Sequence, residues 1–159
     1  MSPPEIDLAP ELIEQVLGAV DQGFERQLAF TQQMMSLDST RGNEHLAQAC
    51  FFEALESRGY EMDQWSIDIA EIEGHLGFSP VKVDYDNAVN VVGTHTPVET
   101  KGRSLILNGH VDVVPTGPAD MWTRPPFEPW VEGDWLYGRG GADMKAGLCA
   151  NLAALDALK

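Results

Sequence analysis

The chain has 159 residues, enough for one domain with a core of its own. Its 25 acidic residues against 10 basic ones give a net charge of −15, a field that repels nucleic acid and anionic membrane surfaces and favours cations, although solubility alone accounts for it. No run of about 18 apolar residues is available to span a membrane, the acidic start Met1–Pro10 lacks the pattern of a secretory signal, and Cys50 and Cys149 form no C-x-x-C pair, so free thiols on apolar helix positions and a cytoplasmic location are expected.

Residues 1–9, with Pro3 and Pro4, read as a flexible tail, and 10–159 as one unit. From Pro10 to about Leu37, Leu12, Ile13, Val16, Leu17, Val20, Phe24, Leu28, Met34 and Met35 recur at helical spacing, with Gly18 and Gly23 as points where the helix divides in two. Asn43 is placed as the N-cap of a second helix, with Glu44 in its first turn, Leu46, Ala49, Cys50 and Leu55 on one face, and Gly59 ending it. Tyr60–Ile69 and Ala88–Gly93 read as strands, with a polar insertion over 70–87 between them. Ser104–Asn108 is a third strand whose apolar run suits a sheet interior. A loop follows over 115–133, rich in proline, and then a short strand, Trp135–Tyr137. From about Lys145, Leu148, Leu152, Leu155 and Leu158 mark a helix still running at Lys159. Strands alternating with helices predict an α/β layer structure.

Chemistry concentrates in two places. His110 and Asp112 follow the strand 104–108 directly, where open α/β sheets hold ligands, and at positions i and i+2 of extended chain they face one way. A metal-binding imidazole needs its second nitrogen engaged, and Asp112 fits that orienting role or the role of a ligand. Taken alone, His-x-Asp is better read as a histidine capping a strand end with Asp112 in a turn, because so short a motif is common. The second cluster changes that balance: Gly138, Gly140 and Gly141 give the turning freedom to present Asp143 just before a helix. Its two oxygens suit a bridge between two cations about 3.5–4 Å apart, and the same residue is a competent helix N-cap.

Other readings are weaker. A dinucleotide loop is opposed by the charge of Asp143 at the third glycine position, and no Walker G-K-[ST] occurs. His45, His75 and His95 read as surface or structural histidines. Lys145 either pairs with a carboxylate near the site or stands solvated at a helix start. Trp122, Phe127, Trp130 and Trp135 read as packing the loop onto the sheet. Neither a G-x-S-x-G elbow nor a Cys–His signature supports an acyl-enzyme.

Taken together, Asn108–Pro115, Trp122 with Pro126, Phe127 and Pro129, and Leu136–Lys145 resemble the M20 metallopeptidase family, most specifically over 105–150 and more weakly back to about residue 25. Ala146 stands where that family often has a second glycine. The resemblance implies a layered helix–sheet–helix catalytic domain of zinc-peptidase type, truncated after the helix that follows Asp143. It implies that His110 ligates one metal, Asp143 bridges two, and Asp112 orients His110. The ions would be zinc, with cobalt or manganese as alternatives. A cis peptide bond is implied after the bridging aspartate, at Asp143–Met144. The family's Glu-Glu pair, its further ligands and its inserted dimerisation domain do not fall within these residues. The implied function is a metal-dependent amidohydrolase acting on an N-acyl amino acid, acetylornithine first, with a dipeptidase or carboxypeptidase as the alternative and a homodimer as the assembly. A non-catalytic binding module derived from the same fold is the reading from another class.

Overall fold

The computed structural model describes residues 8–80 and 85–159. The expected tail up to Asp7 and residues 81–84 of the insertion lie outside them. Helix α1 spans Pro10–Ser36, with Pro10 in its first turn, where the missing N–H has no partner to lose. The Ala9 carbonyl accepts from Leu12 and Ile13 and starts the ladder. The division expected at Gly18 or Gly23 does not occur, and α1 is continuous over 27 residues. An interior glycine costs only about 1 kcal/mol against alanine, too little to stop a helix flanked by strong formers. Burial is confined to its last third, at Thr31, Met34 and Met35, while Ile13, Leu17, Val20 and Phe24 stay exposed.

Helix α2 spans Glu44–Glu56. Asn43 stands at its N-cap but makes no side-chain cap; instead Glu44 Oε2 accepts from Gly42 N at 2.6 Å. The buried face is rotated from the expected one. Ala47 and Leu55 are buried and Phe51 packs against the core, whereas Leu46 and Ala49 face solvent. Gly59 has the expected positive φ of 78°, two residues beyond the cap at Ser57.

Strand β1 (Glu61–Ser66) pairs antiparallel with β2 (Val89–Thr94), Glu61 opposite Thr94 and Ser66 opposite Val89. Ile69 does not extend β1; it opens a single turn, α3 (Ile69–Ile72), which the Asp68 carboxylate caps by accepting from Ala70 N. Gly93 lets β2 pass under α2, since a Cβ there would lie 3.2 Å from Leu55 Cδ1.

The strand expected at 104–108 is absent. These residues have no ladder partner among the described residues, and Leu105 and Ile106 are 74% and 87% exposed. A strand exists only where its N–H and C=O groups find a neighbour, so an apolar run alone does not make one. The loop after Pro115 contains a 3-10 turn, Ala119–Met121, and ends early because Trp130–Glu132 forms β3, which pairs antiparallel with β4 (Trp135–Tyr137). Trp130 stacks on Tyr137 at 5.0 Å with Arg124 over its ring, and Trp122 donates to the Thr116 carbonyl. Trp135 is 70% exposed and packs nothing down, contrary to expectation.

A π-turn, Gly141–Lys145, leads into α4 (Ala146–Asp156). That helix ends at Asp156 with Ala157 as its cap, short of the chain end where it was expected to be still running. Arg58 clasps Asp156 through Nε and Nη2 at 2.8–3.0 Å, fastening the end of α2 to that of α4. The core joins Met34, Ala47, Val111, Leu148 and Cys149, with Phe30, Leu37, Cys50 and Phe51 against it. The described residues are thus mixed helix and strand, compatible with an α/β domain, and their strands form two separate antiparallel pairs. Among the described residues no helix is long and apolar enough to cross a membrane.

Candidate metal site

Val111 and Val113 are each 5% exposed and point into the core. Alternation along extended chain then turns His110 and Asp112 outward. The backbone here is pinned by the link between α1 and α2: Ser39 Oγ donates to the Val111 carbonyl at 2.6 Å, Val113 N donates to the Ser39 carbonyl at 3.1 Å, and Thr40 forms an isolated parallel bridge with Val113. Gly109 is required by proximity, since a Cβ there would stand 2.6 Å from Leu148 Cδ2.

Asp143 is delivered by the π-turn. Lys145 N bonds back to the Gly140 carbonyl at 3.0 Å, and inside this span Asp143 and Met144 leave helical geometry. Gly140 sits at φ 77° with its α-carbon so close to Val113 that a Cβ would meet Cγ1 at 2.4 Å. Two reasons thus demand glycine at one position. The Asp143–Met144 peptide bond is cis, as the resemblance implied.

The three sequence-predicted residues come together. His110 Nε2 lies 3.0 Å from Asp143 Oδ1, and His110 Nδ1 lies 3.0 Å from Asp112 Oδ1 and 3.2 Å from the Asp112 carbonyl. The imidazole therefore has a carboxylate at each end. Partial burial by itself lowers its pKa. The hydrogen bond to the Asp112 carbonyl and the charges of Asp112 and Asp143 outweigh that, holding it above 6.5. Asp143 is the most open of the three, 87% exposed, against 47% for His110 and 54% for Asp112. Among the described residues no group of three or more His, Cys, Asp or Glu converges as a complete metal cage.

Lys145 departs from both sequence expectations. It is fully buried, pairs with no carboxylate among the described residues, and donates from Nζ to the carbonyls of Met34 at 2.9 Å and Leu37 at 2.8 Å. Burial pulls its pKa down to about 8 against the pull of Asp38 in the other direction. Ser39 was passed over entirely, since a lone serine between helices carries no signal in sequence. The remaining histidines stay apart from the site: His95 meets the edge of Tyr60, His75 is exposed in the turn after α3, and His45 lies on α2 with Nδ1 unpartnered. Both cysteines are free; burial raises the Cys149 thiol to about 11, and also raises Cys50. A groove between α1 and α4, lined by Val20, Phe30, Cys149 and Leu152, includes none of the three site residues.

Residues 106–159 match the model of peptidase family M20/M25/M40. The chain is 33% identical over 132 residues to a succinyl-diaminopimelate desuccinylase of Janthinobacterium sp. (strain Marseille), covering 81% of this chain and 29% of the relative. It is 43% identical over 82 residues to the enzyme of that name from Dechloromonas aromatica (strain RCB), covering 52% of this chain and 21% of the relative. A third relative of the same name, from Psychromonas ingrahamii (strain DSM 17664 / CCUG 51855 / 37), is 60% identical over 48 residues, 30% of this chain and 13% of its own length. The chain spans less than a third of the length of these curated relatives.

Proposed function

Because the chain belongs to peptidase family M20/M25/M40, we propose that it supplies His110 and Asp143 as ligands, and Asp112 as the orienting carboxylate, of a metal-dependent amidohydrolase acting on an N-acyl amino acid. The observation that carries this reading is the 3.0 Å approach of His110 Nε2 to Asp143 Oδ1, with the far side of the ring held by Asp112. Two donors about 2.0–2.1 Å from a tetrahedral centre stand about 3.3 Å apart, close to that separation. An imidazole nitrogen and a carboxylate oxygen are the donor types that zinc, cobalt or manganese accept. The second Asp143 oxygen has no hydrogen-bond partner among the described residues, which suits a bridge to a second ion. The layered zinc-peptidase architecture belongs to the same reading.

Within it, each residue has a defined task. With Nδ1–H donated to Asp112, the His110 tautomer is fixed and the Nε2 lone pair faces the site. Asp143 brings a negative charge to an open surface, where a cation and a polar substrate both have access. When bound, divalent cations supply the Lewis acidity that amide hydrolysis at neutral pH needs. Buried Val111 and Leu148 back the site with a rigid wall. The relatives' names favour an N-succinyl group as the acyl group removed, with N-acetylornithine and short peptides as alternatives.

A graft tests this. The matched region of the Janthinobacterium enzyme is replaced by the corresponding residues of this chain, and release of succinate, acetate or free amino acid is followed with each substrate class. Chelator-sensitive release is expected, lost in His110→Ala and in Asp143→Ala. Full turnover in both variants rejects the metal assignment, and a folded graft inactive on every substrate favours the non-catalytic module.

A further inference from the structure

The two parts of the site rest on one short piece of chain. Residues 34–40, the end of α1 and its link to α2, hold the His110 segment through Ser39, 72 residues away in sequence, and the Asp143 turn through Lys145, 111 and 108 residues from its two acceptors. Both side chains are fully buried. Resting on the function proposed above, we propose that Ser39 and Lys145 are positioning residues, which through this junction set the separation and mutual aim of His110 and Asp143.

Their geometry suits the task. The Ser39 hydroxyl takes the carbonyl of Val111, the residue between His110 and Asp112, while its own carbonyl takes the N–H of Val113. The peptide groups on both sides of Asp112 are thereby fixed. Lys145 closes the π-turn by its backbone N–H and sends its ammonium to the terminal carbonyls of α1, the negative end of that helix. A buried ammonium carries a desolvation penalty that an apolar side chain of similar volume avoids, so packing alone gives no reason for a lysine here. The third buried polar side chain among the described residues, Thr31, provides a contrast. Its hydroxyl donates to the Gln27 carbonyl of its own helix at 2.8 Å and also meets the Cys149 thiol on α4, and it bonds to neither the His110 segment nor the Asp143 turn among the described residues. A movement of the 34–40 junction therefore displaces both halves of the site at once.

The test uses the 159-residue chain with Ser39→Ala, Lys145→Met and, as matched control, Thr31→Ala. The first readout needs no metal: the NMR resonances and tautomer of the His110 ring report its contacts with Asp112 and Asp143. Both positioning variants should shift these resonances and broaden them, while Thr31→Ala leaves them in place. The second readout is titration with cobalt(II) alone, where each positioning variant should bind about 10–100-fold more weakly than wild type, the size of effect seen when groups that orient a ligand are removed. Ring resonances that match wild type in Ser39→Ala and Lys145→Met overturn the proposal, whatever the cobalt titration gives. Ring resonances that move in all three variants alike also overturn it, since the effect is then general loosening. If the ring responds as expected but His110→Ala binds cobalt as wild type does, the positioning role stands and the metal reading falls. Should Lys145→Met not fold, Ser39→Ala against Thr31→Ala decides the matter.

Discussion

At Gly140 a positive φ of 77° and a virtual Cβ only 2.4 Å from Val113 Cγ1 coincide. An alanine there must adopt a left-handed conformation and also displace a buried valine, so the two costs add. Gly140→Ala should destabilise the chain by about 2–4 kcal/mol, combining left-handed strain with overpacking, as read from the midpoint of urea unfolding. An effect within about 0.5 kcal/mol, the range of ordinary surface substitutions, means the turn is not built as described. Cys149 offers a second test at this scale. Burial leads the causes that raise its thiol to about 11, so near pH 8 it is both shielded and protonated. In the native chain a maleimide should modify half-buried Cys50 slowly and leave Cys149 untouched, with both reacting in denaturant. The linkage has a definite sign. Above pH 9 the unfolded thiol loses its proton while the folded one keeps it until about 11, so this group makes stability fall over that window. Comparing wild type with Cys149→Ala isolates the term, because Lys145 acts oppositely between about 8 and 10.5.

Elements reveal where a single sequence informs and where it does not. Helices α1, α2 and α4 were readable because the 3.6-residue period repeats over several turns, and β1, β2 and β4 because alternation or an apolar run was bounded by turn residues. The meeting of His110, Asp112 and Asp143 was readable because glycines and ligand-type side chains lie in two short clusters whose order is itself informative. Other features were not. Leu105–Leu107 looks like a core strand by composition, but pairing is a property of neighbours. The α2 face was rotated because Leu46 and Ala47 differ little in pattern, and only packing against Val111 and Met34 selects Ala47. Lys145 was invisible as a buried residue because lysine is almost never buried unless paired, and its partners are backbone carbonyls over 100 residues upstream. The continuity of α1 yields a prediction of its own. Gly18 is helical with nothing within 4 Å of a virtual Cβ, so Gly18→Ala should stabilise the chain by about 0.5–1 kcal/mol. Thermal unfolding checks it; a fall in Tm means that α1 bends or breaks at that point in solution.

For the whole molecule, the question is how much chemistry these residues can perform by themselves. One imidazole and one open carboxylate converge, and no larger cluster of possible ligands is found among the described residues. Two protein donors leave the other positions of a four- to six-coordinate ion to water, so a cation should bind weakly and exchange quickly. Among the described residues no group within hydrogen-bond reach of the site is free to act as general base, since Asp112 is occupied with His110 and Asp143 faces the same ring. The net charge of −15 draws cations toward the surface in general, so a specific site must be separated from diffuse attraction. Specific binding through His110 and Asp143 persists as ionic strength rises, whereas attraction by the overall field fades as the Debye length shrinks from about 10 Å at 0.1 M to about 3 Å at 1 M. The 159-residue chain should therefore bind cobalt weakly at 1 M salt, lose that binding in His110→Ala, weaken about 10–100-fold in Asp112→Ala, and release no measurable acid from N-succinyl or N-acetyl amino acids. Calorimetry at two salt concentrations and a product assay with and without chelator measure all four. Chelator-sensitive turnover by the chain alone contradicts this account of the site, because it requires a base and ligands that the described residues do not bring together.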